Sequence, residues 1–359
     1  MGNEDLSVVL AGGGTAGHIE PALAVGEALS QHYGVRISAL GTPKGLEGKI
    51  IPERGVDLHM IEPVPIPRKV CVDLFKLPVR IVRAVRQTRR ILKEAAADAV
   101  FGTGGYVAAP AYIAAKTLGI PFFVLETNAL AGMANKLGVK LGGIGFNAAE
   151  GSGMPGRVVG TPVRPGLGED PDGVAAARGR TQWEISGDRP VLLITGGSQG
   201  AVSINNAVAG ALTDLLETVD ILHAVGPRNE LPAAREGYVP VPYINDMQAA
   251  LAMADLVVCR SGAMTVSEVS AAGLPAIYVP LPHGNGEQAL NSRKAVAEKA
   301  AVRIDDADLT PQRLLQEVSE IATDNAKRAE MAAAARSTSG VGVAERIAGD
   351  IVKHVQRSE

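Results

Sequence analysis

Two stretches of this 359-residue chain place glycines where a backbone can grip an anion. Residues 192–205 read LLITGGSQGAVSIN, an apolar run emptying into Gly196-Gly197-Ser198-Gln199-Gly200 ahead of a helix-like segment. The pattern recurs in the first half as Val8-Val9-Leu10, then Gly13-Gly14-Thr15-Ala16-Gly17, then a helix from about His18. Glycine lets the backbone turn tightly and lets a ligand approach with no Cβ in the way. The unpaired N–H groups of the following helix then face negative charge. A plain tight turn would use the same residues, but its repetition in both halves favours a binding role and two similar α/β domains.

Gly12, Gly14 and Gly17 also satisfy G-x-G-x-x-G after a strand, the dinucleotide fingerprint. A nicotinamide cofactor would want an acid after the second strand to hold its ribose, and Ala39-Leu40-Gly41-Thr42 supplies none. The loop is not a P-loop either, because His18 stands where lysine is needed. A neutral His18 in the first helical turn can take a proton from a substrate hydroxyl, and the helix N-terminus disfavours its charged form. A histidine that only caps or packs the loop fits equally well.

The densest polar cluster is Arg260-Ser261-Gly262-Ala263-Met264-Thr265-Val266-Ser267-Glu268. It follows a strand over 256–258 and so lies at a strand's carboxyl end, where open α/β sheets bind ligands. Ser261 is the expected N-cap of the next helix. Glu268 either accepts hydrogen bonds from a ribose diol or complements the helix dipole. Further on, Gln288 and Asn291 are three apart and share a helix face. Their amides suit sugar hydroxyls, or merely begin a polar helix.

The elements that must position these residues alternate. Strands are expected over 6–11, 35–40, 56–61, 99–101, 121–125 and 143–146, and again over 190–195, 219–225, 256–258 and 276–279. Helical runs fill the gaps, and the tail over 311–354 is mostly helical. That alternation implies parallel sheets covered on both faces. Residues 158–172, VVGTPVRPGLGEDPD, make the best linker, with 161–168 as the expected hinge of a domain closure.

At 359 residues two domains are expected, each able to bury its own core. Aromatics at 3% and a net charge of -3 argue against a nucleic-acid binder. Cys71 and Cys259 lack metal-type spacing and suit a reducing compartment. The N-terminus enters strand-like sequence too soon for a signal peptide, and no run approaches the roughly 18 apolar residues of a membrane span. The net figure hides one basic segment, because residues 68–93 hold nine Lys/Arg against one acid, Asp73. As a helix it places Lys76, Arg80, Arg83, Arg86, Arg90 and Lys93 at 3/4 spacing beside an apolar stripe of Leu77, Ile81, Val85 and Leu92, with Phe75 and Val82 next to it and Pro78 at the first turn or a kink. Such a face suits an anionic membrane surface. The bland alternative is a packed helix with a solvated basic face, and the concentration of charge favours the membrane.

Taken together, these pieces make the chain resemble the MurG family of peptidoglycan N-acetylglucosaminyltransferases. The matching stretches are GGGTAGHIEP (12–21), GTGGY (102–106), ETN (126–128), VGTPVR (159–164), TGGSQGA (195–201), VPYINDM (241–247), ADLVVCRSGAMTVSEVSAAGLPAIYVPLP (254–282) and EQALN (287–291). They occur in the family's order and cover most of the chain; no single one is specific. The resemblance implies a GT-B fold, two Rossmann-like α/β domains facing an inter-domain cleft. An acceptor- and membrane-binding domain would span 1–163 and a UDP-GlcNAc-binding domain 164–340, with a C-terminal helix over 341–359 able to cross back to the first.

The resemblance further implies inverting transfer of GlcNAc from UDP-GlcNAc to the C4 hydroxyl of MurNAc in undecaprenyl-pyrophosphoryl-MurNAc-pentapeptide (lipid I), giving lipid II. No cofactor and no metal are implied; charge on the leaving diphosphate would be held by loop amides. By motif, Ser198 would contact the diphosphate, Ile244 would meet uracil through its backbone, and Glu268 would take the ribose hydroxyls. Met264 and Thr265 would line the nucleotide pocket, and Gln288, Asn291 and Asn128 would contact the sugar. Thr15, Ala16, Gly17 and Arg164 match further donor-site positions, and His18 matches the histidine suggested as base. The location implied is the cytoplasmic face of the bacterial membrane, held peripherally through Phe75, Lys76, Arg80, Arg83, Arg86 and Arg90, with cell-wall synthesis proteins as further partners. Three positions depart from the pattern: Ala16 for glycine, Thr127 for glutamine and Glu287 for the first glutamine of a pair.

Overall fold

The computed structural model describes residues 6–43, 45–64, 73–164, 166–283 and 286–358. The chain divides into two compact units, Met1–Arg164 with Val341–Glu359, and Pro165–Gly340. In the first unit the order is β1 (Ser7–Gly12), α1 (Ala16–Tyr33), β2 (Arg36–Gly41), α2 (Glu47–Glu53), β3 (Asp57–Met60), α3 (Asp73–Glu94), β4 (Ala99–Gly104), α4 (Ala108–Leu118), β5 (Phe122–Glu126), α5 (Met133–Lys140), β6 (Ile144–Asn147) and β7 (Arg157–Val158). The second unit runs α6 (Val174–Gln182), β8 (Val191–Thr195), α7 (Val202–Leu215), β9 (Asp220–Ala224), β10 (Tyr238–Val241), α8 (Met247–Met253), β11 (Leu256–Cys259), α9 (Ala263–Ala272), β12 (Ala276–Tyr278), α10 (Glu287–Asn291), α11 (Arg293–Ala297), β13 (Ala301–Arg303), α12 (Pro311–Ala322) and α13 (Asn325–Ser337). A last helix, α14 (Val343–Ser358), returns to the first unit.

Both sheets are parallel and doubly wound. Their strand orders are β3-β2-β1-β4-β5-β6-β7 and β10-β9-β8-β11-β12-β13. The chain starts each sheet in the middle, builds outward, then jumps back to the other side of the first strand. That reversal falls between β1 and β4 in one unit and between β8 and β11 in the other.

Side chains alternate across the first sheet. Val8 and Leu10 face a core shared with α1 and α14, while Val9 and Ala11 face one shared with α3 and α4. Burial on both faces explains why β1 reads as an unbroken apolar run. In the second unit Leu192 and Ile194 of β8 pack against Ile204 and Val208 of α7 and against Leu314 and Val318 of α12.

The α/β alternation matches the sequence reading, with shifts at element ends. The helix after the first loop begins at Ala16 rather than His18. The short helices α2, α5 and α6 and the strands β7, β10 and β13 carry too few apolar repeats to stand out in sequence. On α3 the buried line is Ala84, Thr88, Ile91 and Leu92, with Leu77, Ile81 and Val85 half-buried. The expected stripe is therefore rotated: Val82 faces outward at 48% exposure, beside Val79 at 60%. Pro78 lies inside the helix, beyond its first turn. The side chains of Phe75 and Lys76, residues 65–72 of the preceding loop and basic segment, and Pro165 of the expected hinge lie outside the described residues.

Candidate active site

In the first unit the loops leaving β1 and β4 interlock at the reversal point. Gly13 N donates to Gly104 O at 3.2 Å. A Cβ on Gly105, whose φ is +83°, would stand 2.0 Å from Gly13 O. A Cβ on Gly104, at φ +116°, would stand 2.9 Å from His18 Cε1. Thr103 Oγ1 donates to the His18 carbonyl at 2.6 Å. Gly104 and Gly105 are thus glycine because the His18 ring and the first loop occupy the space side chains would need, while at Gly102 the Tyr112 ring fills that space. Thr15, just ahead of α1, is exposed and its side chain does not cap the helix. Ala16, Gly17 and His18 are half-buried beside it.

Two acids that sequence reasoning missed fix this region. Glu47 is fully buried, and its Oε1 accepts from Gly14 N at 2.8 Å. A Cβ at Gly13 would lie 2.3 Å from that same oxygen, so the acid fits only beneath a bare loop. Glu126, 1% exposed at the end of β5, accepts from Asn128 N (2.9 Å), Asn128 Nδ2 (3.2 Å), Gly132 N (2.9 Å) and Asn135 Nδ2 (2.9 Å). Burying a carboxylate is offset by such donors. Tyr112 Oη donates to Asn135 Oδ1 at 3.0 Å, and burial, reinforced by the Glu126 charge, pushes the phenol well above its ordinary range. Asn128, a candidate sugar contact, is held by this network. Arg164 lies against α1, its Nε 3.8 Å from Glu20 Oε2, an oxygen that also takes Arg54 Nη2 at 3.2 Å. The acid in ETN, at a strand's carboxyl end, was a signal for Glu126; Glu47 left none, since Gly14 is 33 residues away.

In the second unit β8 and β11 lie side by side, with Thr195 opposite Cys259. Loop 196–200 turns on two bonds, Gly197 N to Thr195 Oγ1 (3.2 Å) and Gly200 N to Gly197 O (3.0 Å). A Cβ on Gly200, at φ +74°, would stand 2.0 Å from Val225 O. Gly197, at φ +85°, has nothing within 4 Å of where its Cβ would be. Ser198 is exposed at the tip, ahead of the 14-residue helix α7. An exposed glycine loop at a helix N-terminus on a sheet's reversal point has the helix electrostatics and the sheet position that suit an anion.

The neighbouring loop holds the sugar-type amides. Ser261 is not the cap of α9: the cap position belongs to Gly262, with no side-chain bond. Ser261 is fully buried and its Oγ donates to Gln288 O at 2.8 Å. Asn291 Nδ2 donates to Ser261 O at 3.2 Å, and Gln288 Oε1 accepts from Leu281 N at 3.0 Å. The serine's hydroxyl was legible as polar, but its partner comes from 27 residues away. Met264 (8% exposed) and Ile244 (3%) are packed, whereas Thr265 and Glu268 are half-buried on α9. Cys259 is buried beneath this region, and burial pushes its thiol far up, which leaves it inert. Thus Ser198, Ile244, Met264, Thr265, Glu268, Gln288 and Asn291 belong to the second unit, and Thr15 to His18, Asn128 and Arg164 to the first. Among the described residues no group of three or more His, Cys, Asp or Glu is placed to hold a metal.

Two family models match the chain, the glycosyltransferase family 28 N-terminal domain over residues 8–141 and its C-terminal domain over 191–347. The chain belongs to glycosyltransferase family 28. This family 28 chain is 63% identical to a UDP-N-acetylglucosamine--N-acetylmuramyl-(pentapeptide) pyrophosphoryl-undecaprenol N-acetylglucosamine transferase of Corynebacterium efficiens, over 97% of each chain. It is 54% identical to the transferase of the same name from Corynebacterium diphtheriae, over 98% of this chain and 99% of that one. Among solved structures it resembles Acinetobacter baumannii MurG with a TM-score of 0.74 and 30% identity, covering 97% of this chain and 99% of that one. The glycosyltransferase of kitacinnamycin shares the fold at TM-score 0.71 and 17% identity, over 97% and 98% of the two chains. The GT-B fold expected from the sequence is the fold this family 28 member adopts.

Proposed function

We propose that the chain is an inverting glycosyltransferase that moves N-acetylglucosamine from UDP-GlcNAc to the C4 hydroxyl of MurNAc in lipid I, giving lipid II for peptidoglycan. What carries this reading is the glycine loop 196–200 at the β8–β11 reversal, in a family 28 chain with relatives of that name. In the reaction the acceptor oxygen attacks the anomeric carbon, the bond to the diphosphate breaks, and UDP leaves from the opposite face. The leaving group is already a good one, so no glycosidase-type carboxylate pair is needed. Amides of loop 196–200 and the α7 N-terminus stabilise its growing charge, with Ser198 against the diphosphate. Glu268 receives the ribose hydroxyls, Met264, Thr265 and the Ile244 backbone line the nucleotide, and Gln288, Asn291 and Asn128 contact the sugar.

The second unit is the donor domain in this reading and the first the acceptor domain. Thr15, Ala16, Gly17 and Arg164 complete the donor contacts, and His18 takes the proton of the acceptor hydroxyl. The chain works at the cytoplasmic face of the membrane, held there by α3. Val79 and Val82 project beside Arg83, Arg86 and Arg90, an exposed face that is both apolar and basic. Among the described residues no helix is long and apolar enough to cross a membrane. The test is incubation with UDP-GlcNAc and a short-chain lipid I analogue while UDP release is followed. Turnover with UDP-GlcNAc and none with UDP-GalNAc is expected; equal use of both, or release independent of the acceptor, would overturn the assignment.

A further inference from the structure

Arg260 follows β11 directly, and its guanidinium is committed to protein acceptors. Nη1 donates to Val279 O and Pro280 O at 3.1 Å each and to Asp306 Oδ1 at 2.5 Å. Nη2 donates to Ser203 Oγ at 2.9 Å, and Ser203 Oγ donates in turn to the same Asp306 oxygen at 2.7 Å. The arginine and aspartate side chains are only 12% and 18% exposed. A desolvated arginine needs such a partner, and its planar fork makes the geometry directional.

The three groups sit on different carboxyl-end segments. Ser203 is in the first turn of α7, the helix fed by loop 196–200. Val279 and Pro280 lead out of β12 to Leu281, whose N–H binds Gln288. Asp306 begins a 3-10 turn, Asp306–Asp308, after β13. Arg260 also precedes Ser261, which bonds Gln288 and Asn291. One guanidinium thereby fastens the diphosphate loop's helix to the segment bearing the sugar amides. Because Asp306 neutralises its charge, its contribution is geometric rather than that of a phosphate-binding cation.

We infer that Ser203 and Asp306 are positioning residues for the donor site, acting through Arg260; the inference rests on the donor reading above. The test compares wild type with Ser203→Ala, Asp306→Asn, Asp306→Glu and the Ser203→Ala/Asp306→Asn pair. It measures kcat, the KM for UDP-GlcNAc, the KM for a lipid I analogue, and UDP affinity by calorimetry. Donor KM and UDP Kd should each rise about tenfold, about 1.4 kcal/mol, in Ser203→Ala and Asp306→Asn. Acceptor KM should stay within about twofold, Asp306→Glu should recover part of the loss, and the paired change should fall short of the product of the single ones. Wild-type and variant chains that bind UDP alike would overturn this inference alone, as would a fall in thermal stability with both KM values unmoved. A wild-type chain that does not bind UDP would remove the donor reading and this inference with it.

Discussion

Glu47 shows how one buried side chain can set a loop. Its Oε1 is the acceptor for Gly14 N–H, and Gly14 holds φ +87° above it. Leucine there would leave that half-buried N–H without its acceptor, at about 1–3 kcal/mol. Glu47→Leu should therefore lower the melting temperature and cut kcat by about tenfold, whereas Glu47→Gln, which keeps an acceptor, should retain most activity. Equal loss in both variants would mean that charge, not the bond to Gly14, is what matters. A second residue-scale expectation concerns His223, 1% exposed and pushed by burial down to about 4. Its Nε2 lies 3.1 Å from Asn205 Oδ1 and its Nδ1 3.0 Å from the Tyr238 hydroxyl, which fits a neutral ring donating from Nε2. The unfolded imidazole titrates near 6.5, so the unfolded chain takes up the proton first as pH falls. Stability from this group is whole above that value and declines toward pH 4 by up to about 1.4 kcal/mol per pH unit. Urea melts of wild type and His223→Gln should show a shallower pH dependence in the variant; parallel curves would contradict it. At this scale the sequence was legible where the structure keeps a contiguous motif together, as in the glycine turn 196–200 between β8 and α7. It was silent where the partner came from afar: Ser261 looked like a cap because Gln288, its true partner, is invisible in local spacing.

Among elements, the glycine loops were readable because a tight strand-to-helix turn restricts residue choice within a few positions. Helix α3 was readable as amphipathic from its 3/4 spacing, but not which side it buries. Tertiary packing, chiefly against α4, decides that, and the residues buried are Ala84 and Thr88 rather than Val82. The rotation leaves Val79 and Val82 outward with Arg83 and Arg86, while Arg80 is half-buried. Arg83 also meets Glu62 at 3.3 Å, an exposed pair of small worth. Each basic residue near an anionic surface adds about 1 kcal/mol, so Arg83→Glu/Arg86→Glu should weaken binding to phosphatidylglycerol vesicles by at least about tenfold. Turnover on a water-soluble acceptor should be kept, and unchanged vesicle partitioning would remove α3 from the membrane contact. The short elements α2, α5 and α6 lay below the reach of periodicity, being stabilised by tertiary packing rather than by their own sequence.

Across the whole molecule the same topology is used twice, and each copy has its own core. The first unit is completed by the far end of the chain. Val343, Ile347, Ile351, Val352 and Val355 of α14 are buried against α1 in its core. Each buried Val or Ile contributes on the order of 1.5–3 kcal/mol, against a total domain stability of about 5–15 kcal/mol. A chain ending at residue 340 should therefore lose the first unit while the second persists. Limited proteolysis read by mass spectrometry should leave a resistant fragment from the second unit only, and equal resistance of both would contradict the packing account. The central claim is that backbone amides of loop 196–200 hold the donor's diphosphate while Glu268 holds its ribose. A crystal structure of the chain bound to UDP tests it most directly. The expected result is a diphosphate within hydrogen-bond distance of Ser198 and of the loop amides, with the ribose hydroxyls on Glu268. UDP bound anywhere else, with that loop left empty, would contradict it.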